Sequence, residues 1–206
     1  KLRLLYDKSL QIDAGKRIEF IQKMGEIQEY SPNEISQLDG GLARVESFGQ
    51  LPDRKKVPSA SPLAISEIAQ MEGERNAYGR ASTIVRASPE QIIAYQWDFM
   101  ARHLQKADTI NKKIIETVNS HNQLVYMVKV IPKPARKRDL VMRNVWKKLA
   151  DGSYAFVISP ESHPDYPENT GEYTRALYPT TIRLTRLREC ETRIDYLVQL
   201  DIGEGG

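Results

Sequence analysis

Arg175 has Tyr173 two residues before it and Leu177 two residues after it. In an extended chain alternate side chains share a face, so this spacing sets a guanidinium among apolar groups. Such a charge is costly without a partner. Glu168 is the candidate partner. Asp139, beside Arg138, is another possible partner, although an aspartate at a turn exit more often bonds locally. The plainer alternative is a solvated arginine on the outside of a sheet, with Glu168 in a loop.

Residues 129 to 148 form a second concentration of charge. Lys129, Lys133, Arg136, Lys137, Arg138, Arg143, Lys147 and Lys148 face a single acid, Asp139. Such a stretch could meet an anionic membrane surface, at about 1 kcal/mol per cation, or could be a solvated strand face and its turn. Catalytic motifs are missing from the sequence: there is no Gly-X-Ser-X-Gly, His-Glu-X-X-His, phosphate-binding Walker loop or Gly-X-Gly-X-X-Gly. His103, His121 and His163 lack metal-ligand spacing, and Cys190 sits in a charged turn as a bystander. No metal and no cofactor is expected. Trp97 and Trp146 suit core positions, with Trp146 also able to line a cavity.

These residues must be positioned by the elements around them. From Lys1 to Tyr30, Leu5, Ile12, Ile18, Phe20, Ile21, Met24 and Ile27 recur at spacings that suit one or two amphipathic helices. Ser31-Pro32 and Asp39-Gly40-Gly41 read as breaks. The segment from Phe48 to Pro62, with Pro52, Pro58 and Arg54-Lys55-Lys56, reads as a linker. Ser61-Pro62 predicts a helix running to about Gly73, and Ser88-Pro89-Glu90-Gln91 one from Pro89 to about His103, because serine caps and proline suits the first turn. Ala81–Arg86 alternates as a strand, and six strand-like runs follow: 112–119, 123–131, 139–149, 154–160, 172–187 and 192–201. Turns at 119–122, 150–153 and 188–191 are of hairpin length, which requires antiparallel neighbours. In the last run Ile194, Tyr196, Val198 and Leu200 share one face. The resulting sheet lacks a second layer, which a helix beyond Gly206 would supply, and a helix across a curved sheet can enclose a pocket.

The chain has 206 residues, enough for one domain with an appendage or two small domains. With 30 basic and 27 acidic residues, the net charge of +3 does not point to a nucleic-acid partner. No apolar run approaches the roughly 20 residues of a transmembrane helix. A single cysteine and the absence of any Asn-X-Ser/Thr sequon favour an intracellular, cytoplasmic setting. The Lys1 start and the Gly-Glu-Gly-Gly end suggest a segment of a larger protein.

Several pieces, in order, resemble the steroidogenic-acute-regulatory-related lipid-transfer (START) domain. They are the Ser-Pro-Glu-Gln helix start with Trp97-Asp98, Arg138-Asp139-Leu140-Val141, Trp146 to Tyr154, Ser162-His163-Pro164 leading through Glu168 to Tyr173-Thr174-Arg175-Ala176, Thr192 to Tyr196, and Asp201-Ile202-Gly203. Leu177 stands where the family has a glutamate. The resemblance implies an α+β helix-grip fold, a curved antiparallel sheet of about seven strands over helices. Residues 61–206 would form the lipid-binding domain and 1–60 an N-terminal helical appendage with its linker, packing on the domain or on a partner; the family's closing C-terminal helix lies outside this chain. The implied function is non-enzymatic binding of a lipid or sterol, for transfer or sensing. Arg175 and Glu168 occupy the positions the resemblance associates with the ligand's polar end, and Trp146, Tyr173 and Tyr196 complete the candidate ligand-binding set. The alternatives are a ligand-independent interaction domain and a polyketide-cyclase-like enzyme.

Overall fold

The computed structural model describes residues 2–199 except 28, 60, 74–75, 101–108, 131–135 and 169–170, and the side chains of 2–13 are outside the described set. Two long helices open the chain, α1 (Leu2–Gly25) and α2 (Pro32–Gln50). Three strands follow, β1 (Lys55–Val57), β2 (Ala64–Ala69) and β3 (Tyr78–Val85), then α3 (Pro89–Trp97). The remaining strands are β4 (Thr109–Asn119), β5 (Asn122–Lys129), β6 (Lys137–Lys148), β7 (Tyr154–Pro160), β8 (Tyr173–Arg175), β9 (Thr180–Arg188) and β10 (Glu191–Gln199). They form one sheet in the order β1-β2-β3-β10-β9-β7-β6-β5-β4, with β8 paired in parallel to β6 and the other pairs antiparallel.

Three Ser-Pro pairs behave differently, and the third residue after each serine explains why. Ser31 caps α2 in a reciprocal box: its Oγ accepts from Glu34 N at 3.3 Å, and its own N–H donates to Glu34 Oε2 at 2.7 Å. Ser31-Pro32 is therefore a helix start and not only a break. Ser88 and Gln91 make the same box for α3, which ends at Trp97 rather than near His103. Ser61 is followed at that spacing by Ala64, which cannot reciprocate. The expected helix to Gly73 is instead a turn, with Leu63 N donating to Ser61 Oγ, feeding strand β2. The stretch read as a linker contains the end of α2 and strand β1. These two strands, and the splitting of the run around Pro179 into β8 and β9, raise the strand count from about seven to ten.

Alternation along the strands separates two faces. Trp146, Tyr154, Phe156, Ile182 and Leu184 point to one, where α1 and α3 add Ile18, Ile21, Met24 and Ile93. Val145, Ala155 and Val157 point to the other, against Leu38 of α2, whose far end buries Phe48 on Ala69, Tyr78 and Leu197. The first 60 residues thus lie on both faces of the sheet, and α1 covers the face for which the sequence asked for a later helix. Gly40-Gly41, read as punctuation, lie inside α2 because that helix sits very close to the sheet. A Cβ at Gly41 would stand 2.8 Å from both Thr181 Oγ1 and Val157 Cγ2, whereas one at Gly40 would meet only Arg44 Nη1 at 3.8 Å.

The start of α2 is tied to the β4–β5 turn. Buried Glu34 accepts from Asn122 Nδ2 at 2.6 Å and Asn119 Nδ2 at 2.9 Å, while His121 is buried against Tyr30 with Nε2 3.7 Å from Glu34. Burial works to raise the Glu34 pKa, but the bonds from Asn122, the Ser31 backbone and Asn119 outweigh it and hold the carboxyl at about 2. Burial also lowers the His121 pKa, opposed only in part by the Glu34 charge.

Gly40→Ala should stabilise the protein by up to about 1 kcal/mol through helix propensity. Gly41→Ala should cost about 1–3 kcal/mol by overpacking, and paired urea denaturation curves would show the opposite signs. Because the folded pKa values of His121 and Glu34 are both depressed, stability should be full above pH 6.5. It should fall by up to about 1.4 kcal/mol per pH unit as His121 is forced to charge, and fall again below pH 4.5 as Glu34 protonates. His121→Phe should flatten the first limb in denaturation measured from pH 8 to 4.

Candidate ligand cavity

On the α1 face a cavity of about 550 Å³ opens where α1 leaves a gap beside α3. Phe20 and Ile21 of α1 form its roof, Ala94, Trp97 and Phe99 a wall, and Ile114, Thr117 and Gln123 of β4 and β5 its floor. The mouth carries Lys16, Arg17 and Asp98, with Arg17 Nη1 ion-paired to Asp98 Oδ2 and so linking α1 to the end of α3. The α3 wall is held in place by Glu90 in its first turn. That buried carboxylate accepts from Arg186 Nη2 of β9 at 2.5 Å and from the Tyr154 hydroxyl of β7 at 3.2 Å. The pairing with Arg186 and the bonds at the helix start keep Glu90 below the usual carboxylate range against the upward push of burial.

Gln123 of the floor belongs to a buried polar pair within the sheet. Gln123 and Asn144 are partners in the β5–β6 register, both buried, on the face that also bears Met142 and Trp146. Gln123 donates from Nε2 to the Trp97 carbonyl at 3.1 Å. The Asn144 side-chain oxygen is buried without a hydrogen-bond partner. A buried acceptor left unmet is costly, and of the pair only Gln123 lines the cavity.

The five residues expected to bind ligand are not among those lining this cavity. Arg175 lies on the α2 face: Nε and Nη2 donate to Asp139 Oδ1 and Oδ2 at 3.1 and 2.8 Å, and Nη2 also donates to the Tyr166 carbonyl at 2.8 Å. Asp139 alternates with Leu140, which packs with Phe99, so the ion pair belongs to the opposite side, with Val141, Tyr126 and Tyr166. Glu168 is 51% exposed and its Oε1 stands 3.9 Å from Arg175 Nη1, too far for a hydrogen bond. Tyr173 packs in the same α2-face cluster, under Lys137. Trp146 is on the α1 face but fully buried, its Nε1 donating to the Ser120 carbonyl at 3.2 Å and its ring edge-on to Trp97. Tyr196 shares that face on β10, opposite Ile182, and is exposed toward the β3 flank. One lining residue had a signal in the sequence: Gln123 is an uncharged polar residue in an otherwise apolar strand run.

The basic stretch is dispersed by the same alternation. Arg138 is buried, Arg143 is bonded to Glu161, Lys137 to Glu172 and Lys148 to Glu26, while Lys147 lies over the Tyr30 ring. Lys133 lies outside the described residues. Among the described residues no group of His, Cys, Asp or Glu could hold a metal ion, and no helix is long and apolar enough to cross a membrane.

Among the described residues a sheet of ten strands lies beneath helix α1 with an apolar cavity between them. The START domain family model matches residues 58–206, and the chain belongs to that family. Human STARD10 superposes with a TM-score of 0.70 at 17% identity, over 87% of this chain and 71% of its own. Human StAR-related lipid transfer protein 5 gives 0.68 at 14% identity over 86% of each chain. The lipid transfer and protein localization domain of human StarD13 gives 0.65 at 19% identity over 86% of this chain and 87% of its own. These likenesses establish the α+β helix-grip fold. No curated protein sequence matches the chain significantly.

Removing the Asp139 carboxylate leaves a buried guanidinium unpaired, so Asp139→Ala should cost about 3–5 kcal/mol. Glu168→Ala should cost less than about 1 kcal/mol. Thermal melts of the two variants would rank them.

Proposed function

We propose that this chain binds one lipid or sterol molecule in the α1-face cavity and acts by carrying or sensing it, without chemical conversion. The observation that carries the reading is an apolar chamber of about 550 Å³ whose floor sets the polar side chains of Thr117 and Gln123 among apolar ones. That volume lies in the range of about 300–1,000 Å³ usual for small-molecule sites, and a mostly apolar wall with one polar spot suits an amphipathic ligand bearing a hydroxyl. Among the described lining residues the titratable ones are Lys16, Arg17 and Asp98. Two of these are already paired to each other, which leaves no set of convergent acids and bases for catalysis. Lipid-transfer names among the structural relatives agree with a binding role. A cytoplasmic setting is consistent with this reading.

A second reading has one observation in its favour. Ile21 fills the centre of the α1 face against Trp146, Phe156, Ile182 and Leu184, as an interaction domain with a plugged pocket would. Native mass spectrometry after incubation with a lipid extract separates the two. One bound lipid per chain is the expected outcome, and Gln123→Leu should reduce occupancy about tenfold through loss of one buried hydrogen bond. Phe20→Asp, at the roof, should lower it as well. A chain that stays lipid-free under all conditions would sink the cavity reading in favour of the plugged domain.

A further inference from the structure

Helix α2 covers its face of the sheet only part of the way toward the β1 edge. Its last buried side chain, Phe48, packs on Ala69, Tyr78 and Leu197, and the helix stops at Gln50. Beyond it, on the same face, Leu63 is 80% exposed, Ile65 57% and Ile84 53%. The three are contiguous: Thr83 Oγ1 donates to the Leu63 carbonyl at 2.7 Å, and Ile65 is the register partner of Ser82, two residues before Ile84. They lie along a shallow groove of about 550 Å³ whose rim carries Lys56, Arg80 and Arg193, with exposed Arg86 one step further along β3. The nearby carboxylates are already engaged. Glu67 pairs with Arg80 at 2.6 Å and lies 3.5 Å from Arg54, and Asp195 pairs with Arg193 at 2.8 Å.

We propose that this face docks on an anionic membrane surface. Leu63, Ile65 and Ile84 enter the interfacial region, and Lys56, Arg86 and Arg193 meet the lipid phosphates and carboxylates. The charge pattern selects this occupant, because the four cations Lys56, Arg80, Arg86 and Arg193 outnumber the two carboxylates, Glu67 and Asp195, that pair with Arg80 and Arg193, which leaves the rim of the aliphatic patch net positive. A protein partner or a second copy fits less well. The patch has no aromatic anchor of the kind that dominates protein interfaces, and the edge strand β1 is a three-residue strand beginning Lys55-Lys56, which resists strand addition. The site differs from the Lys129–Lys148 stretch, where Arg138 is buried and Lys137, Arg143 and Lys148 are paired to carboxylates, and docking holds whether or not the cavity carries lipid.

Co-sedimentation of the full chain with vesicles tests this. Phosphatidylcholine vesicles containing a third phosphatidylserine should bind it, pure phosphatidylcholine vesicles should not, and raised salt should weaken binding by screening. Lys56→Ala and Arg86→Ala should each weaken binding about fivefold, the equivalent of one cation at a membrane surface. Leu63→Asp should weaken it more than about tenfold with an unchanged melting temperature, while Lys137→Ala should bind as the wild type does. The proposal is overturned if neither vesicle binds, if both bind equally, or if Leu63→Asp binds as well as the wild type. A concentration-dependent dimer that Leu63→Asp abolishes would also overturn it, by assigning the face to a second copy.

Discussion

Strands β6 and β7 are buried on both sides, and the rest of the molecule follows from that. Val145 and Trp146, and Ala155, Phe156 and Val157, are consecutive residues that point in opposite directions, yet all are fully buried. A sheet with two apolar faces needs a layer of structure on each. Helix α2 supplies one layer, close enough that Gly41 cannot carry a side chain without displacing Val157 or Thr181. Helices α1 and α3 together supply the other, seating Ile21 and Ile93 against Trp146, Phe156, Ile182 and Leu184. The N-terminal helices are thus part of how the sheet becomes stable.

The cavity lies where that second layer is incomplete. α1 seats Ile21 over the centre of the sheet and α3 seats Ile93 beside it, leaving a gap over β4 and β5 that neither helix fills. Apolar side chains wall most of it, so the gap favours a hydrophobic occupant over water. Gln123 and Thr117 supply the exception, a polar spot in an otherwise apolar floor. Membership of the START family and the physical reading of the cavity therefore point the same way, from independent observations.

Buried charge in this protein is used for construction. Arg175 and Asp139 join β8 to β6 in the only parallel pairing among the described strands, Glu90 and Arg186 fix α3 to β9, and Glu34 fixes α2 to the β4–β5 turn. Each carboxylate meets its cation or several N–H donors at hydrogen-bonding distance, the condition under which a buried charge is tolerable. Arg175 was legible as a charge that must be paired. Its partner was the aspartate directly opposite in register, since a carboxylate fixed by neighbouring strands loses less freedom on pairing than one in an exposed loop.

The amino-acid sequence by itself determined the α+β class, most of the strands from Tyr78 onward, the capped start of α3 and the family to which the chain belongs. Those features rest on local periodicity, short turns and motif order, all of which are written in consecutive residues. It did not by itself show that Ala64–Ala69 is a strand: Ala64 in place of Glu or Gln three residues after Ser61 removes the capping box, but the strand itself is fixed by pairing with β1 and β3. Nor did it show which residues line the cavity. Alternation says that Arg175 and Tyr173 share a face and that Gln123 and Asn144 do not share it with their neighbours, but which face meets α1 and which meets α2 depends on how the helices dock. That choice was made only by the tertiary structure, because it turns on contacts between segments more than a hundred residues apart, such as Ile21 with Trp146, that no local pattern encodes.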